Sequence, residues 1–139
     1  DWDRDEHFRG IVVMYRDLIR LRRNLDGTTR GLTGHNVQLT HVNRDMNVVV
    51  MHRWQDGGPG DDVLVVVNLG HEARGGYRIG VPSEGVWALA FNSDADVYNA
   101  DFSDTPAGDL HAEPDDYDGL GASGTVDIGP YAVLIYHRT

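Results

Sequence analysis

The chain has 139 residues, no cysteine, and 22 acidic against 12 basic residues, which gives a formal net charge of −10. One domain of this length buries roughly 68% of its unfolded surface, so it can build a hydrophobic core without disulfides or structural zinc. The acidic balance argues against nucleic acid and against an anionic membrane as partners, because both attract clustered lysine and arginine.

The first ten residues, "DWDRDEHFRG", lack the apolar stretch of a secretion signal and do not begin with methionine. We therefore expect the chain to be a piece of a longer protein. No apolar run in the sequence approaches the ~20 residues that a membrane-spanning helix needs.

Residues 11–25, "IVVMYRDLIRLRRNL", have the periodicity of an amphipathic helix that ends before Gly27. Val13 lies outside the apolar arc, which leaves two interpretations open: a lone exposed valine, or a helix that packs on two sides with one partner missing. Arg22 lies inside the arc and is either a snorkelling side chain or part of a buried ion pair. The apolar arc comprises Ile11, Met14, Tyr15, Leu18, Ile19, Leu21 and Leu25.

Everything after Gly34 has the pattern of strands and turns. Short alternating or β-branched runs are separated by turn sequences, which is typical of an antiparallel sandwich or barrel. The long segment 93–123 is predicted to be irregular. The predicted strands are residues 36–43, 47–54, 63–69, 77–82, 86–92, 125–129 and 131–138.

The sequence "GLGASG" at residues 119–124 matches the Gly-x-Gly-x-x-Gly pattern of a dinucleotide-binding loop. Such a loop follows a strand and opens a helix, whose N-terminus faces the pyrophosphate. Here the pattern follows the acidic sequence "PDDYD" and precedes a predicted strand. We therefore interpret these glycines as turn residues.

Two acidic segments were candidates for chemistry. In residues 94–101, Asp94 and Asp96 fit the first oxygen positions of an EF-hand, but the later positions do not fit. A different calcium site from Asp94, Asp96 and Asp101 stays open beside the simpler interpretation of a solvated loop. The carboxylates of residues 113–119 lie in a polar loop without the burial that catalytic acids need. The seven histidines have no helical metal-binding spacing, so we predict no metal, no cofactor and no catalytic residue.

Three aromatic residues are candidates for stacking on sugar rings. Tyr98 and Tyr117 lie in predicted loops, where an aromatic side chain is informative, and Trp54 ends a strand beside a glycine-rich loop. Trp87, by contrast, shares a strand face with other apolar residues and is predicted to be core. The candidate carbohydrate-binding residues are therefore Trp54, Tyr98 and Tyr117.

Several blocks of the sequence resemble enzymes of the α-amylase superfamily. "YRDLIRLRRN" (15–24) resembles the last barrel helix of those enzymes, and "GLTGHNVQLTHVNRDMNVVVMHRW" (31–54) is similar to the first hairpin of their all-β C-terminal domain. "DW" at 1–2 and the "FNSD" sequence resemble 1,4-α-glucan branching enzymes in particular. The resemblance covers nearly the whole chain, and bacterial α-amylases and branching enzymes are the most similar groups. Further blocks follow in the same order at residues 61–70, 77–94 and 128–138.

The resemblance implies an all-β fold: an antiparallel Greek-key β-sandwich of about eight strands with one N-terminal α-helix. Residues 1–30 are then the terminal segment and last helix of a (β/α)8 barrel that the sequence does not include. Residues 31–139 are the C-terminal β-sandwich domain. This fold agrees with the strands predicted from the residues themselves.

The resemblance also implies a non-catalytic domain of an α-glucan-active enzyme. The catalytic motifs of that superfamily lie upstream of the last barrel helix, so no catalytic residue is carried over to this sequence. We expect the domain to stabilise the catalytic barrel of its own polypeptide, a 1,4-α-glucan branching enzyme of glycogen biosynthesis in the cytoplasm. Two alternatives stay open: an α-amylase that hydrolyses starch or glycogen, and an accessory module whose partner is α-glucan.

Overall fold

The computed structural model describes the backbone of residues 2–102 and 105–139, and the side chains of residues 8–102 and 105–139. This part of the chain forms one α-helix, α1, a short 3-10 turn and eight β-strands. The helix is Trp2–Arg22 and the 3-10 turn is Arg30–Leu32. The strands are β1 (Asn36–Asn43), β2 (Val48–Trp54), β3 (Val63–Asn68), β4 (Arg74–Val81), β5 (Gly85–Asn92), β6 (Leu110–Ala112), β7 (Ala122–Ile128) and β8 (Val133–Arg138).

The strands form two antiparallel sheets. The large sheet has the order β1-β2-β3-β8-β5-β6, and β4 pairs with β7 in a small second sheet. The chain therefore leaves the large sheet after β3 and again after β6, and returns each time. The predicted all-β sandwich with an N-terminal helix is confirmed.

The main core lies between the two sheets. Leu64 of β3 and Trp87 of β5 pack in one buried cluster with Ile79 of β4 and Val126 of β7. Trp87 is fully buried, as predicted, and its indole N–H donates to the carbonyl of Ser83 at 3.0 Å. Since side chains alternate between the two faces of a strand, the residues between these core positions point to the outer face of the large sheet.

Helix α1 covers part of that outer face. Leu21 of the helix belongs to a second buried cluster with Val63 of β3, Phe91 of β5 and Ile135 of β8. This cluster contains no residue of β1, β2 or β6, so the helix lies over the middle of the large sheet and both edges of that face lie outside the cluster.

The helix is longer at its start and shorter at its end than the sequence pattern predicts. It begins at Trp2 rather than residue 11, because its first turns are polar and give no periodic signal. It ends at Arg22 because Asn24 adopts the left-handed conformation, with φ 55°. The Thr29 hydroxyl then donates to the carbonyl of Leu21 at 2.7 Å, and the Thr29 N–H donates to Asn24 Oδ1 at 2.9 Å. These bonds terminate the helix as a cap does.

The prediction that the segment 93–123 is irregular is partly wrong, because the segment contains β6 and the start of β7. The three residues of β6 are too few to show a period, and they form a strand through pairing with β5. The glycine pattern at 119–124 is only partly a turn. Gly119 has φ 74°, as a turn glycine does, whereas Gly124 lies in β7 against the side chain of Leu110.

Candidate interaction surface

The sheet-facing side of α1 is defined by a close backbone contact. Gly10 is buried, and a Cβ atom built on it would lie 1.7 Å from the carbonyl oxygen of Tyr98. Val13, Met14 and Leu18 pack against the second core cluster on the same side of the helix. Glycine is therefore required at position 10 if the helix is to reach the loop that follows β5.

A hydrogen bond between side chains fixes the same contact. The Tyr98 hydroxyl donates to Asp17 Oδ2 of the helix at 2.5 Å, and the Tyr98 ring packs on Phe91 with centroids 5.6 Å apart. Burial raises the pKa of Tyr98, and the bond to the Asp17 carboxylate raises it further. The hydroxyl therefore stays protonated and holds the loop on the helix at neutral pH.

The opposite side of α1 carries a second apolar stripe, which we call the outer stripe. Its five side chains are between 50% and 63% exposed, and four of them line an open groove of about 520 Å³. Arg16 and Arg20 also line the groove, so the apolar surface has a basic rim. The outer stripe comprises Ile11, Val12, Tyr15, Ile19 and Leu25.

The outer stripe corrects the sequence-based assignment of the helix faces. Val13 was assigned to the side away from the sheet, yet it packs against the second core cluster. Ile11, Tyr15 and Ile19, which the apolar arc grouped with the core residues, are exposed instead. Of the two interpretations of Val13, the lone exposed valine is wrong. Arg22 is exposed, so the buried ion pair is also wrong.

Trp54, the first predicted carbohydrate contact, lies at the end of β2. Its indole stacks on His52 with ring centroids 4.3 Å apart and an interplanar angle of 20°. His52 is buried, and its Nε2–H donates to Asp62 Oδ1 at 2.8 Å, while Arg138 lies 3.3 Å from Asp62 Oδ2. One face of the indole therefore rests on a fixed polar cluster.

The glycine-rich loop beside Trp54 is held by two buried carboxylates. Asp61 accepts hydrogen bonds from the backbone N–H groups of Gln55 at 2.8 Å and Asp56 at 3.1 Å. Burial acts to raise the pKa of Asp61, but these N–H groups and that of Gly57 outweigh burial and lower it. Asp62 accepts from the N–H of Gly58 at 2.8 Å. The loop is thus an ordered turn built around two carboxylates.

Tyr117 lies in the loop between β6 and β7, and its ring has two protein neighbours. The Arg78 guanidinium lies 4.2 Å from the ring centroid, and the His41 ring stacks at 6.3 Å with an interplanar angle of 27°. Arg78 is in turn paired with Asp115 at 3.0 Å. The Arg78 guanidinium therefore occupies space over the Tyr117 ring where a sugar would stack.

A polar cluster beside Tyr117 links the two sheets and was not predicted. His41 of β1 donates from Nδ1 to both oxygens of Asp118 at 2.9 Å, since an ionised carboxylate can only accept. The hydroxyl of Tyr77 on β4 donates to His41 Nε2 at 2.6 Å and accepts from Asn43 at 3.1 Å. We call His41, Asn43, Tyr77 and Asp118 the inter-sheet cluster.

A bulge in β1 aims His41 into that cluster. The register with β2 shifts between Leu39 and His41, so that Leu39 pairs with Met51 but His41 pairs with Val50, a core residue. The single extra residue turns His41 inward and Val42 outward. Simple alternation placed His41 with Leu39, so sequence reasoning missed this cluster. The available signal was a histidine at a position of β1 where the alternation calls for an apolar residue.

The three predicted carbohydrate contacts thus belong to three separate clusters. Tyr98 is 8% exposed and joins the helix to the β5–β6 loop, Trp54 rests on His52, and Tyr117 contacts Arg78 and His41. The structure does not bring them into one binding platform. Their contact with carbohydrate stays a prediction.

The acidic segment after β5 carries its carboxylates in different environments. Asp94 is half-buried, whereas Asp96 and Asp101 are exposed. Among the side chains described, those of residues 8–102 and 105–139, no three histidine, aspartate or glutamate residues are placed to hold a metal ion together. The same part of the chain contains no helix with the length and apolar character needed to cross a membrane.

Comparison with known proteins places this arrangement in a family. Residues 39–139 match the family model described as the α-amylase C-terminal all-β domain. The chain belongs to this family. In this α-amylase C-terminal all-β domain, the matched residues include all eight strands except residues 36–38 at the start of β1.

Three similar proteins are 1,4-α-glucan branching enzymes named GlgB. That of Pseudomonas syringae pv. tomato is 39% identical over 84 residues, which cover 60% of this chain and 11% of that protein. That of Cupriavidus pinatubonensis is 33% identical over 97% of this chain and 18% of that protein. That of Myxococcus xanthus is 30% identical over 96% of this chain and 18% of that protein. The α-amylase C-terminal all-β domain therefore spans less than a fifth of the length of these relatives.

A solved structure shows the same fold. An inactive double mutant of MutB in complex with isomaltulose superposes with a TM-score of 0.51 and 23% identity, over 88% of this chain and 17% of that chain. The likeness supports the sandwich architecture of this α-amylase C-terminal all-β domain.

Proposed function

We propose that the chain is the non-catalytic C-terminal part of a 1,4-α-glucan branching enzyme of the cytoplasm. In this proposal residues 1–30 complete a catalytic (β/α)8 barrel, and residues 31–139 pack against that barrel and stabilise it. The branching enzymes that match 96–97% of the chain support this parent over an α-amylase.

The observation that carries the proposal is the outer stripe of α1. Apolar residues on two opposite sides of a helix indicate that the helix is buried between two layers, because a surface helix needs only one apolar side. The β-sandwich covers one side, through Gly10, Leu18 and Leu21. The other side is free to contact the barrel.

Burial of the outer stripe contributes enough free energy to stabilise a contact between α1 and the barrel. Full burial of a large apolar side chain contributes about 1.5–3 kcal/mol, and the five side chains of the stripe are each half-exposed. Completing their burial therefore contributes several kcal/mol, a large share of the 5–15 kcal/mol that stabilises a typical domain.

An activity measurement tests whether residues 1–139 are non-catalytic and whether the full-length polypeptide is a branching enzyme. Residues 1–139 alone, incubated with amylose, should form no new α-1,6 links and release no new reducing ends. The full-length polypeptide should form α-1,6 links. Turnover of amylose by residues 1–139 would contradict the non-catalytic role, and release of reducing ends without new links by the full-length polypeptide would favour an α-amylase.

A substitution tests the contact itself. Ile19→Glu places a charge in the centre of the outer stripe, where the side chain is exposed in residues 1–139 but buried in the proposed full-length protein. We expect no loss of stability in the short form and a lower unfolding midpoint, with reduced activity, in the full-length form. Equal behaviour of the two forms would show that the outer stripe contacts nothing in the full-length protein.

A further inference from the structure

The turn between β7 and β8 contains a tyrosine in a backbone conformation that tyrosine seldom adopts. The turn is closed by the Ala132 N–H, which donates to the carbonyl of Gly129 at 3.3 Å. Its second residue is Pro130, and its third residue, Tyr131, has φ 53°. Proline at the second position with a positive φ at the third is the pattern of a type II turn, whose third position favours glycine or asparagine. We call residues 129–132 the Tyr131 turn.

The loop between β3 and β4 holds the Tyr131 turn in this conformation. The Tyr131 N–H donates to the carbonyl of Gly70 at 3.0 Å. The side chain of Asn68 is buried and donates to the carbonyl of Gly129 at 3.0 Å. The same side chain donates to the carbonyl of Glu72 at 2.8 Å and accepts from the N–H of Gly70 at 2.9 Å. A strained backbone persists only where its surroundings fix it in this way.

Packing does not account for a tyrosine at position 131. Among the aromatic side chains of residues 8–102 and 105–139, that of Tyr131 is the most exposed, at 68%. Glycine would fit the same turn without a steric cost, and the exposed ring buries little apolar surface in return for that cost. A bulky residue that has a positive φ and that the core does not need therefore points to a functional role.

The neighbours of Tyr131 in the β3–β4 loop suit a neutral, hydroxyl-rich ligand. Leu69 is 62% exposed, and the side chains of His71 and Glu72 are 80% and 62% exposed. An imidazole N–H donates hydrogen bonds and a carboxylate accepts them, so this loop offers both kinds of partner to a hydroxyl group. The formal net charge of −10 opposes the approach of an anionic ligand but not that of an uncharged sugar.

We propose that Tyr131 is a stacking platform for a glucose residue of an α-1,4-glucan chain. The inference rests on the proposed function, which makes α-glucan the substrate of the full-length polypeptide. The C–H groups on the face of a pyranose ring carry partial positive charge and pack on the electron-rich face of an aromatic ring. A contact of this kind holds a long glucan chain at the enzyme surface and raises its effective concentration near the same polypeptide.

Tyr131 offers an exposed ring, which the three predicted aromatic contacts lack. Tyr98 is buried, Tyr117 has a guanidinium over its ring, and the indole of Trp54 stacks on a buried histidine. Sequence reasoning missed Tyr131, because the apolar pattern of residues 131–138 predicts a strand that includes it, whereas β8 begins two residues later.

An NMR titration of residues 1–139 with maltoheptaose tests the contact. We expect the amide signals of residues 69–72 and 129–132 to shift and saturate at millimolar maltoheptaose. Tyr131→Ala should weaken the apparent affinity by roughly tenfold, because the apolar surface of the ring is lost. Tyr131→Phe keeps the ring face and should bind as the wild type does. The matched control is Tyr15→Ala, at a 63% exposed position on α1, which should leave the titration unaltered.

Tyr131→Gly separates binding from stability. Because glycine adopts a positive φ without steric cost, the urea unfolding midpoint of this variant should equal or exceed that of the wild type, while the response to maltoheptaose is lost. A lower midpoint with an unchanged response to maltoheptaose would assign the Tyr131 side chain to the stability of the fold and overturn the inference.

The outcomes separate this inference from the proposed function. If residues 129–132 show no shifts, or if the shifts are confined to residues 53–56 around Trp54, the inference is overturned, and formation of α-1,6 links by the full-length polypeptide would leave the proposed function standing. A saturable response at Tyr131, together with a full-length polypeptide that forms no α-1,6 links from amylose, would overturn the branching function and leave the sugar contact standing.

Discussion

At the scale of single residues, the lack of a Cβ atom at Gly10 allows α1 to pack against the loop that follows β5. Gly10 has the backbone carbonyl of Tyr98 where a Cβ atom would lie, at 1.7 Å. Real Cβ atoms do not approach a carbonyl oxygen so closely, and the neighbour is backbone, which cannot rotate away as a side chain can. Gly10 is thus a packing requirement rather than a weak point of the helix.

Gly10→Ala should therefore destabilise residues 1–139, although alanine is more favourable than glycine in a helix interior by about 1 kcal/mol. We expect the clash to cost more than that gain, with a net loss of about 1–3 kcal/mol in the free energy of unfolding measured with urea. The loss should be accompanied by a weaker near-ultraviolet circular dichroism signal from Tyr98.

Gly121→Ala is the matched control, because nothing lies within 4 Å of a Cβ atom at that position and its φ is not positive. It should change the unfolding midpoint very little. An unchanged or raised midpoint in Gly10→Ala would show that the helix does not approach the β5–β6 loop in solution.

At the scale of elements, seven of the eight strands were visible in the sequence because each is long enough to show a pattern. β6 was not, since three residues have no period and its pairing with β5 depends on the tertiary fold. The helix was visible, but its faces were not assigned correctly. A helical wheel cannot tell which of two apolar sides meets the sheet. Gly10 marks the sheet-facing side of α1, but a glycine gives no signal in a hydrophobicity pattern.

The candidate sites show the same limit. The sequence located the aromatic residues Trp54, Tyr98 and Tyr117, but their neighbours come from distant strands and loops. His41 and Tyr117 are brought together by a bulge in β1 that shifts the register by one residue. Because a bulge depends on how two strands pair, alternation along a single strand does not reveal it.

The two sides of α1 should respond differently to truncation in residues 1–139. Leu21→Ala removes a buried side chain of the second core cluster and should cost about 2–4 kcal/mol. Ile19→Ala, two residues away on the outer stripe, removes a side chain that is 52% exposed and should cost less than about 0.5 kcal/mol. Urea unfolding of both variants measures the difference, and equal losses would contradict the assignment of the two helix sides.

At the scale of the whole molecule, the two sheets are joined by the main core and, near the β1 edge, by the inter-sheet cluster. His41 and Asn43 belong to the large sheet and Tyr77 to the small one, so their hydrogen bonds span the sandwich. Asp118 fixes His41 and also accepts from the backbone N–H of Gly80 at 2.7 Å, which ties the loop before β7 to β4. The cluster thus links β1 of the large sheet to β4 of the small sheet.

Ionisation of Tyr77 should make the stability of the inter-sheet cluster sensitive to alkaline pH. Burial raises the pKa of Tyr77; the hydrogen bond from Asn43 lowers it, and the nearby Asp118 carboxylate raises it again, so that the net direction is upward. An acid whose pKa is higher in the folded state stabilises the fold below its unfolded pKa, which is about 10 for tyrosine. That contribution is lost as the pH rises through the folded pKa. Burial also raises the pKa of Tyr98 and Tyr136, so their contributions decline in the same direction.

The free energy of unfolding of residues 1–139 should therefore fall as the pH rises above about 10. Tyr77→Phe should cost about 1–2 kcal/mol at pH 7, because His41 and Asn43 lose their shared partner, and should make the alkaline decline shallower. Tyr15→Phe, at an exposed position on the outer stripe, should reproduce the wild-type curve. Urea unfolding from pH 7 to 11 provides the measurement. A Tyr77→Phe curve that runs parallel to the wild type would mean that Tyr77 ionises equally in the folded and unfolded chain. A curve that also coincides with the wild type at pH 7 would mean that the hydrogen bonds of Tyr77 do not stabilise the sandwich.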